Sequence, residues 1–208
     1  GILIFWNINS GSIPISLKDV FRILFLKDGT ETSYNIIWEI RLPRILAAVI
    51  LGGALSVSGF LLQTFFGNPI AGPFVLGISS GAKLIVALTM IYLLGKSMVA
   101  TSGLMILAAF TGSLISMGFV LLISRKVKQM SMLVVSGIMI GYICSAITDF
   151  VVTFADDSNI VNLHNWSLGS FSGTSWDNVS VMAVVVFAAL FRTFLMSKPI
   201  SAYQLGEG

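Results

Sequence analysis

The stretch GISSGAKL, residues 77–84, decides between two folds. From Gly77 to Lys83 it keeps the spacing of a phosphate-binding loop, G-x-x-x-x-G-K-[ST], but Ala82 stands where the second glycine belongs and Leu84 where a hydroxyl is needed. A phosphate loop joins a buried strand to a helix in a soluble α/β domain, and its hydroxyl after lysine holds magnesium. Here the stretch follows a long apolar run, and Asn68, Pro69, Gly72 and Pro73 break the backbone just before it. Such breaks are tolerated at membrane depth where protein or water satisfies the freed backbone groups. The stretch therefore reads as the start of a small-residue helix, part of a wall or gate, and not as a nucleotide site.

Composition agrees with that choice. Hydrophobic residues make up 56% of the 208 positions and charged residues 10%, with a mean hydropathy of +0.95. A soluble domain of this size is far more polar. About 20 apolar residues suffice for a helix to cross the hydrocarbon core, and such runs lie near 45–66, 74–95, 99–124, 130–154 and 178–196. The expected fold is all-α, a polytopic transmembrane helical bundle forming a single domain over 1–208. The opening GILIFW reads as the last turns of a spanning helix and the final KPISAYQLGEG is polar, so the expectation is an internal portion of a longer chain, truncated at both ends. Cys144 lies inside an apolar run and reads as a small core residue. The net charge of +3 comes from a few bases beside the spans and does not point to nucleic acid.

Charge also sets an orientation. Arg125, Lys126 and Lys128 lie between the runs at 99–124 and 130–154 with no acid among them, which places that loop in the cytoplasm. The loop at 155–177 carries Asp156, Asp157 and Asp177 without a base, as an outer loop should, and Arg192 and Lys198 mark the return to the inside. The same parity puts Lys96 outside, GNPIAG inside and the whole segment before Arg44 outside. That outer segment carries five bases where the rule prefers few, Lys18, Arg22, Lys27, Arg41 and Arg44, partly offset by Asp19, Asp28, Glu31 and Glu39, and the arginines suggest a protein partner.

Small residues recur at helical spacing: Gly52 and Ser56, Gly77 and Gly81, and Gly137, Gly141 and Ser145. In lipid they let helices approach closely. Ser131, Ser136, Gly137, Gly141, Ser145, Thr148 and Asp149 fall mainly on one side of a helix, which either packs or lines a conduit. Asp149 lies near the outer end, where solvation is available. Lys83, more than a turn inside its helix, is expected to snorkel toward headgroups or a cavity.

With these residues in view, RLPRILAAVILGGALSVSGFLLQTFFGNPIAGPFVLGISSGAKL (41–84) resembles the signature block of the FecCD-type permeases, membrane subunits of bacterial ABC importers for ferric siderophores, haem and vitamin B12. MLVVSGIMIGYICSAITD, WSLGSFSGTSW and AYQLGEG extend the likeness over nearly the whole chain. The resemblance implies a vitamin B12 importer-like permease fold of ten spanning helices, of which this chain holds about five and a part. It also implies a second permease copy or close paralogue, two cytoplasmic ATPase subunits, an extracellular substrate-binding protein and a bacterial cytoplasmic membrane. By the same likeness Arg41 and Arg44 dock the binding protein, and Asn68, Pro69, Ile70, Met130 and Ser131 form a cytoplasmic gate. The likeness also makes Gly206 and Glu207 the opening of the region that couples to the ATPase, while Gly137, Gly141, Ser145 and Thr148, from the small-residue face described above, are the expected pathway lining. GSFSGTSWD (169–177) is similar to the family's small helix at the outer mouth.

The function so implied is ATP-driven import of a ferric siderophore, with haem or cobalamin as alternative cargo. An ion-coupled secondary transporter would need intramembrane acids or broken-helix ion sites, and a packing scaffold would need neither. No catalytic residue and no cofactor is expected. His164 has no Cys or His companion in its loop, so no metal site is expected either.

Overall fold

A computed structural model describes residues 16–26, 31–94, 101–127 and 129–204. Every regular element among them is helical: α1 (Leu17–Leu26), α2 (Glu31–Asn35), a π-helical turn (Ile36–Arg41), α3 (Leu42–Phe66), α4 (Ile78–Leu94), α5 (Ser102–Ser124), α6 (Met130–Thr153), α7 (Asp157–Leu168), α8 (Trp176–Leu195) and α9 (Ser197–Gln204). The expected all-α fold is observed. Helical stretches over 31–66, 103–124, 131–153 and 176–195 are long and apolar enough to cross a membrane. They expose large side chains such as Phe110 (61%), Phe187 (63%) and Phe194 (73%), surface that water would not favour but lipid accepts.

The chain packs as two units, residues 1–57 with 171–208 and residues 58–170. In the first, Ser16 caps α1: its hydroxyl accepts from the Asp19 amide at 3.2 Å and donates to the Asp19 carboxylate at 2.7 Å, which satisfies one of the bare first-turn amides. Val20 and Ile23 of α1 meet Ile37 and Ile45 in a small core flanked by Tyr34, Trp38 and Leu42. The indole of Trp176 lies 6.1 Å from that of Trp38, and its Nε1 donates to the Trp38 carbonyl at 2.9 Å.

The helix leading into α3 begins earlier than hydropathy predicts. A continuous helical stretch covers Glu31–Phe66, so Arg41 and Arg44 sit on a helix and not in a loop before one. Pro43 lies inside this stretch, where a proline lacks the N–H its turn requires. The π-helical turn just ahead absorbs the defect: the Leu42 amide reaches back to the Ile37 carbonyl, one residue further than an α-helical bond.

In the second unit α4, α5 and α6 pack together, and α7 folds back onto α4. Phe66, Ala71, Leu76, Val120, Leu133 and Val134 form one core at the 66–76 break. Val86, Ala87, Met90, Met105, Ala108 and Leu163 form another between α4, α5 and α7. The α4 run was predicted from 74, but its helix starts at Ile78, because Gly77 takes a φ of 71° that belongs to a turn.

One further expectation is corrected. The short helix after α6 is α7, at Asp157–Leu168, and not GSFSGTSWD. Residues 169–175 form a turn instead, with Gly169 and Gly173 at φ 71° and 81° and the Thr174 amide bonded to the Phe171 carbonyl at 3.2 Å. Ser175 then starts α8 by accepting from the Asn178 amide at 3.4 Å.

Candidate functional site

The break between α3 and α4 is a built turn. Gly67, at φ 55°, ends α3; its amide bonds the Thr64 carbonyl at 3.2 Å and the next amide, Asn68, bonds the Gln63 carbonyl at 3.1 Å. The Asn68 side chain accepts from the Ile70 amide at 2.9 Å, and Gln63 Nε2 donates to the Pro69 carbonyl at 3.1 Å. Side chains thus satisfy backbone groups that a broken helix leaves bare. Ile70 projects, 69% exposed, while Ala71 and Leu76 are buried. The core beneath the turn includes Leu133 and Val134 of α6, so the turn and the start of α6 share one end of this unit. Ser131 is exposed there. Gly206 and Glu207 lie outside the described residues, as do GILIFW, Lys96 and Lys128, and nothing is described of the Met130 side chain.

Close packing explains the glycines of GISSG. A Cβ at Gly77 would lie 2.7 Å from both the Gly137 carbonyl oxygen and the Gly141 amide, and one at Gly81 would lie 2.6 Å from Ser116 Cβ. A Cβ at Gly112 would collide with the Gly81 carbonyl. The Gly77 carbonyl accepts from the Gly81 amide at 2.9 Å and from Ser116 Oγ at 2.9 Å. These glycines seat α4 against α5 and α6; they do not cradle a phosphate.

The proposed lining of α6 divides accordingly. Gly137, Gly141 and Thr148 are buried within this chain; the two glycines face Leu76 and Gly77, and Thr148 Oγ1 donates to the Cys144 carbonyl at 2.8 Å. Ser145 is half-buried, donates to Ser80 Oγ at 3.4 Å and borders a cavity of about 550 Å³. Ser79, Ser80, Lys83, Ser113 and Ser167 border it too, with Trp166. Sequence reasoning missed this grouping, since Ser113 is on α5 and Ser167 on α7. Leu163 packs with Val86, Ala87 and Met90 while Ser167 shares the cavity with Ser79 and Lys83, so α7 runs antiparallel to α4.

On the first unit, Arg41 closes the π-helical turn. Arg44, three residues on, is half-buried and donates from Nη2 to Ser172 Oγ at 3.3 Å. Residues three apart share a helix face, so both guanidinium groups belong to one side of this helix.

Comparison with known proteins places the chain. It is 38% identical to the vitamin B12 import system permease protein BtuC of Klebsiella pneumoniae over 172 residues, 82% of this chain and 50% of that protein. It is 31% identical to the hemin transport system permease protein HmuU of Yersinia pestis, over 99% of this chain and 61% of the relative. The chain therefore spans half to three fifths of the length of these relatives. Its fold is similar to that of a metal-chelate type ABC transporter solved in an inward-facing conformation, with a TM-score of 0.79 at 21% identity, covering 98% of this chain and 61% of that one. The profile of the FecCD transport family matches residues 1–208, and the chain belongs to that family.

Proposed function

We propose that this chain is part of the membrane permease subunit of a binding-protein-dependent ABC importer. The subunit moves a metal chelate, a ferric siderophore, inward across the bacterial cytoplasmic membrane by ATP-driven alternating access. The observation that carries this reading is the family match over the whole chain. The names of the relatives, which import vitamin B12 and hemin, support a chelate as cargo.

On this reading two permease copies enclose the conduit, loaded binding protein docks on the outer face, and two separate ATPase subunits hydrolyse ATP. The chain itself performs no covalent chemistry. Arg41 and Arg44 pair with carboxylates of the binding protein, a task to which the planar guanidinium is suited. Asn68, Pro69 and Ile70 form the cytoplasmic gate with Met130 and Ser131, and Gly206 and Glu207 begin the region that reaches the ATPase. Ser145 faces the pathway, while Gly137, Gly141 and Thr148 hold α6 in register beside it.

The test is uptake of iron-55 siderophores, labelled haemin and labelled cobalamin by cells lacking the full-length gene, with and without complementation. Loss and rescue of one siderophore is the expected result. A defect confined to haemin or cobalamin would keep the mechanism and change the cargo, and uptake that persists without the ATPase would overturn the reading.

A further inference from the structure

The cavity between α4, α5, α6 and α7 has a chemistry that helix packing does not require. Lys83 lines it, and among the described residues no acid does. Lys83 is five residues beyond the start of α4, about 7.5 Å along the helix axis. Among the described residues it has no carboxylate partner. The hydroxyls around it are unusually available. Elsewhere in these helices hydroxyls donate back along their own helix, as Thr89 does to the Ile85 carbonyl, Thr111 to Leu107 and Ser136 to Met132. The Ser79 and Ser113 hydroxyls have no such partner among the described residues. Ser80 accepts from Ser145 and keeps its own hydrogen to give.

We propose that this cavity is an anion subsite that takes a carboxylate group of the transported chelate, held by Lys83 and the hydroxyls of Ser79, Ser80 and Ser113. The inference rests on the importer reading above and narrows its cargo to chelates bearing free carboxylates. An ionisable side chain inside a membrane span is costly and commonly marks a substrate or ion path. A carboxylate offers two acceptor oxygens, enough for one ammonium and two or three hydroxyl donors together. The first turn of α4, which brings Ser79 and Ser80, adds the positive end of a helix dipole. A volume of about 550 Å³ admits a carboxylate arm, while a whole chelate fills the wider conduit between copies.

Trp166, on the cavity wall, supplies the readout. The full-length permease, assembled with its ATPase in nanodiscs and with its other tryptophans replaced by Phe, is titrated with haemin and ferric citrate as carboxylate probes. Ferrioxamine B serves as the probe without a free carboxylate. The expected result is quenching by a carboxylate probe that weakens about tenfold in Lys83→Gln, survives in Lys83→Arg and falls several-fold in Ser113→Ala. Equal quenching in Lys83→Gln, or quenching by ferrioxamine B alone, or by none of the three, would overturn the subsite. So would Lys83→Gln failing to assemble while Lys83→Arg assembles without binding any probe, because Lys83 would then pair with an acid of the chain itself. ATP hydrolysis stimulated by loaded binding protein is measured on the same samples. Its absence in the unmutated assembly would count against the importer reading, whatever the quenching shows.

Discussion

Ser116 Oγ donates to the Gly77 carbonyl at 2.9 Å, across the contact between α5 and the turn that opens α4. The same carbonyl accepts from the Gly81 amide, so one oxygen joins the first turn of α4 to its neighbour. Around it, Gly77 of the turn and Gly81 of α4 face Gly137, Gly141 and Gly112 at distances that leave no room for a side chain. The phosphate-loop spacing is a by-product of this packing.

Gly77→Ala should therefore be among the most damaging small substitutions in the chain. The new methyl would meet two backbone atoms of α6 at 2.7 Å, at a φ of 71°. Left-handed strain costs about 1–3 kcal/mol, and overpacking adds a similar amount. Gly53→Ala, with nothing within 4 Å of its Cβ, is the control and should be neutral or stabilising by about 0.5–1 kcal/mol. Thermal unfolding of both full-length variants in one detergent ranks them, and a Gly77→Ala that melts with the parent would refute the packing account.

Ser116→Ala should cost far less than its burial suggests. The Gly77 carbonyl keeps its bond from the Gly81 amide, so one lost membrane hydrogen bond is worth about 0.6 kcal/mol. Ser116→Leu should instead force α4 and α5 apart, because Ser116 Cβ lies 2.6 Å from the position a Gly81 Cβ would take. The expected order of melting temperatures is parent, Ala variant, Leu variant, and a Leu variant as stable as the Ala variant would contradict it.

The long apolar helices were legible in the sequence because lipid removes the need for periodicity. An uninterrupted apolar run ends where charge begins, so α6 at Met130–Thr153 nearly matches the predicted run at 130–154. What escaped were elements shorter than a span. The first, α1, is amphipathic and buries Val20 and Ile23 amid charged sequence, and α7 starts at Asp157, just after Asp156, in a stretch read as an outer loop. Its signal was present in the paired acids at the start and in Leu163 and Trp166 at helical spacing. The cavity was hidden for a related reason. Gly77 and Gly81 announce close packing by their spacing, but which helices they meet depends on tertiary register, and only the return of α7 brings Ser167 to Lys83.

The two indoles of the first unit predict unequal costs. Trp176 donates to the Trp38 carbonyl, whereas Trp38 Nε1 is buried without a partner. Trp176→Phe loses a hydrogen bond worth about 1 kcal/mol net. Trp38→Phe gives up ring contacts but also removes an unsatisfied donor whose burial costs about 1–3 kcal/mol, so it should destabilise less. Chemical denaturation of the two full-length variants side by side tests the order, and a reversed order would show that ring packing outweighs the polar terms here.

Arg41 and Arg44 carry the docking proposal, and their place on a continuous helix sharpens it. Because Arg44 bonds Ser172, its guanidinium is held before a partner arrives, which lowers the ordering cost of binding, and Arg41 lies three residues before it on the same helical stretch. Reversing either charge should weaken binding-protein affinity by roughly tenfold, about 1.4 kcal/mol, and reduce its sensitivity to salt. Ser172→Ala should weaken binding less, by releasing Arg44 without removing its charge. Basal ATP hydrolysis by the assembled transporter should be unchanged, since that chemistry belongs to another subunit in the proposed scheme. Binding measured by surface plasmon resonance on nanodisc-embedded transporter at two salt concentrations decides the matter. Unchanged affinity in Arg41→Glu and Arg44→Glu would remove the docking role and leave the arginines as anchors for lipid headgroups.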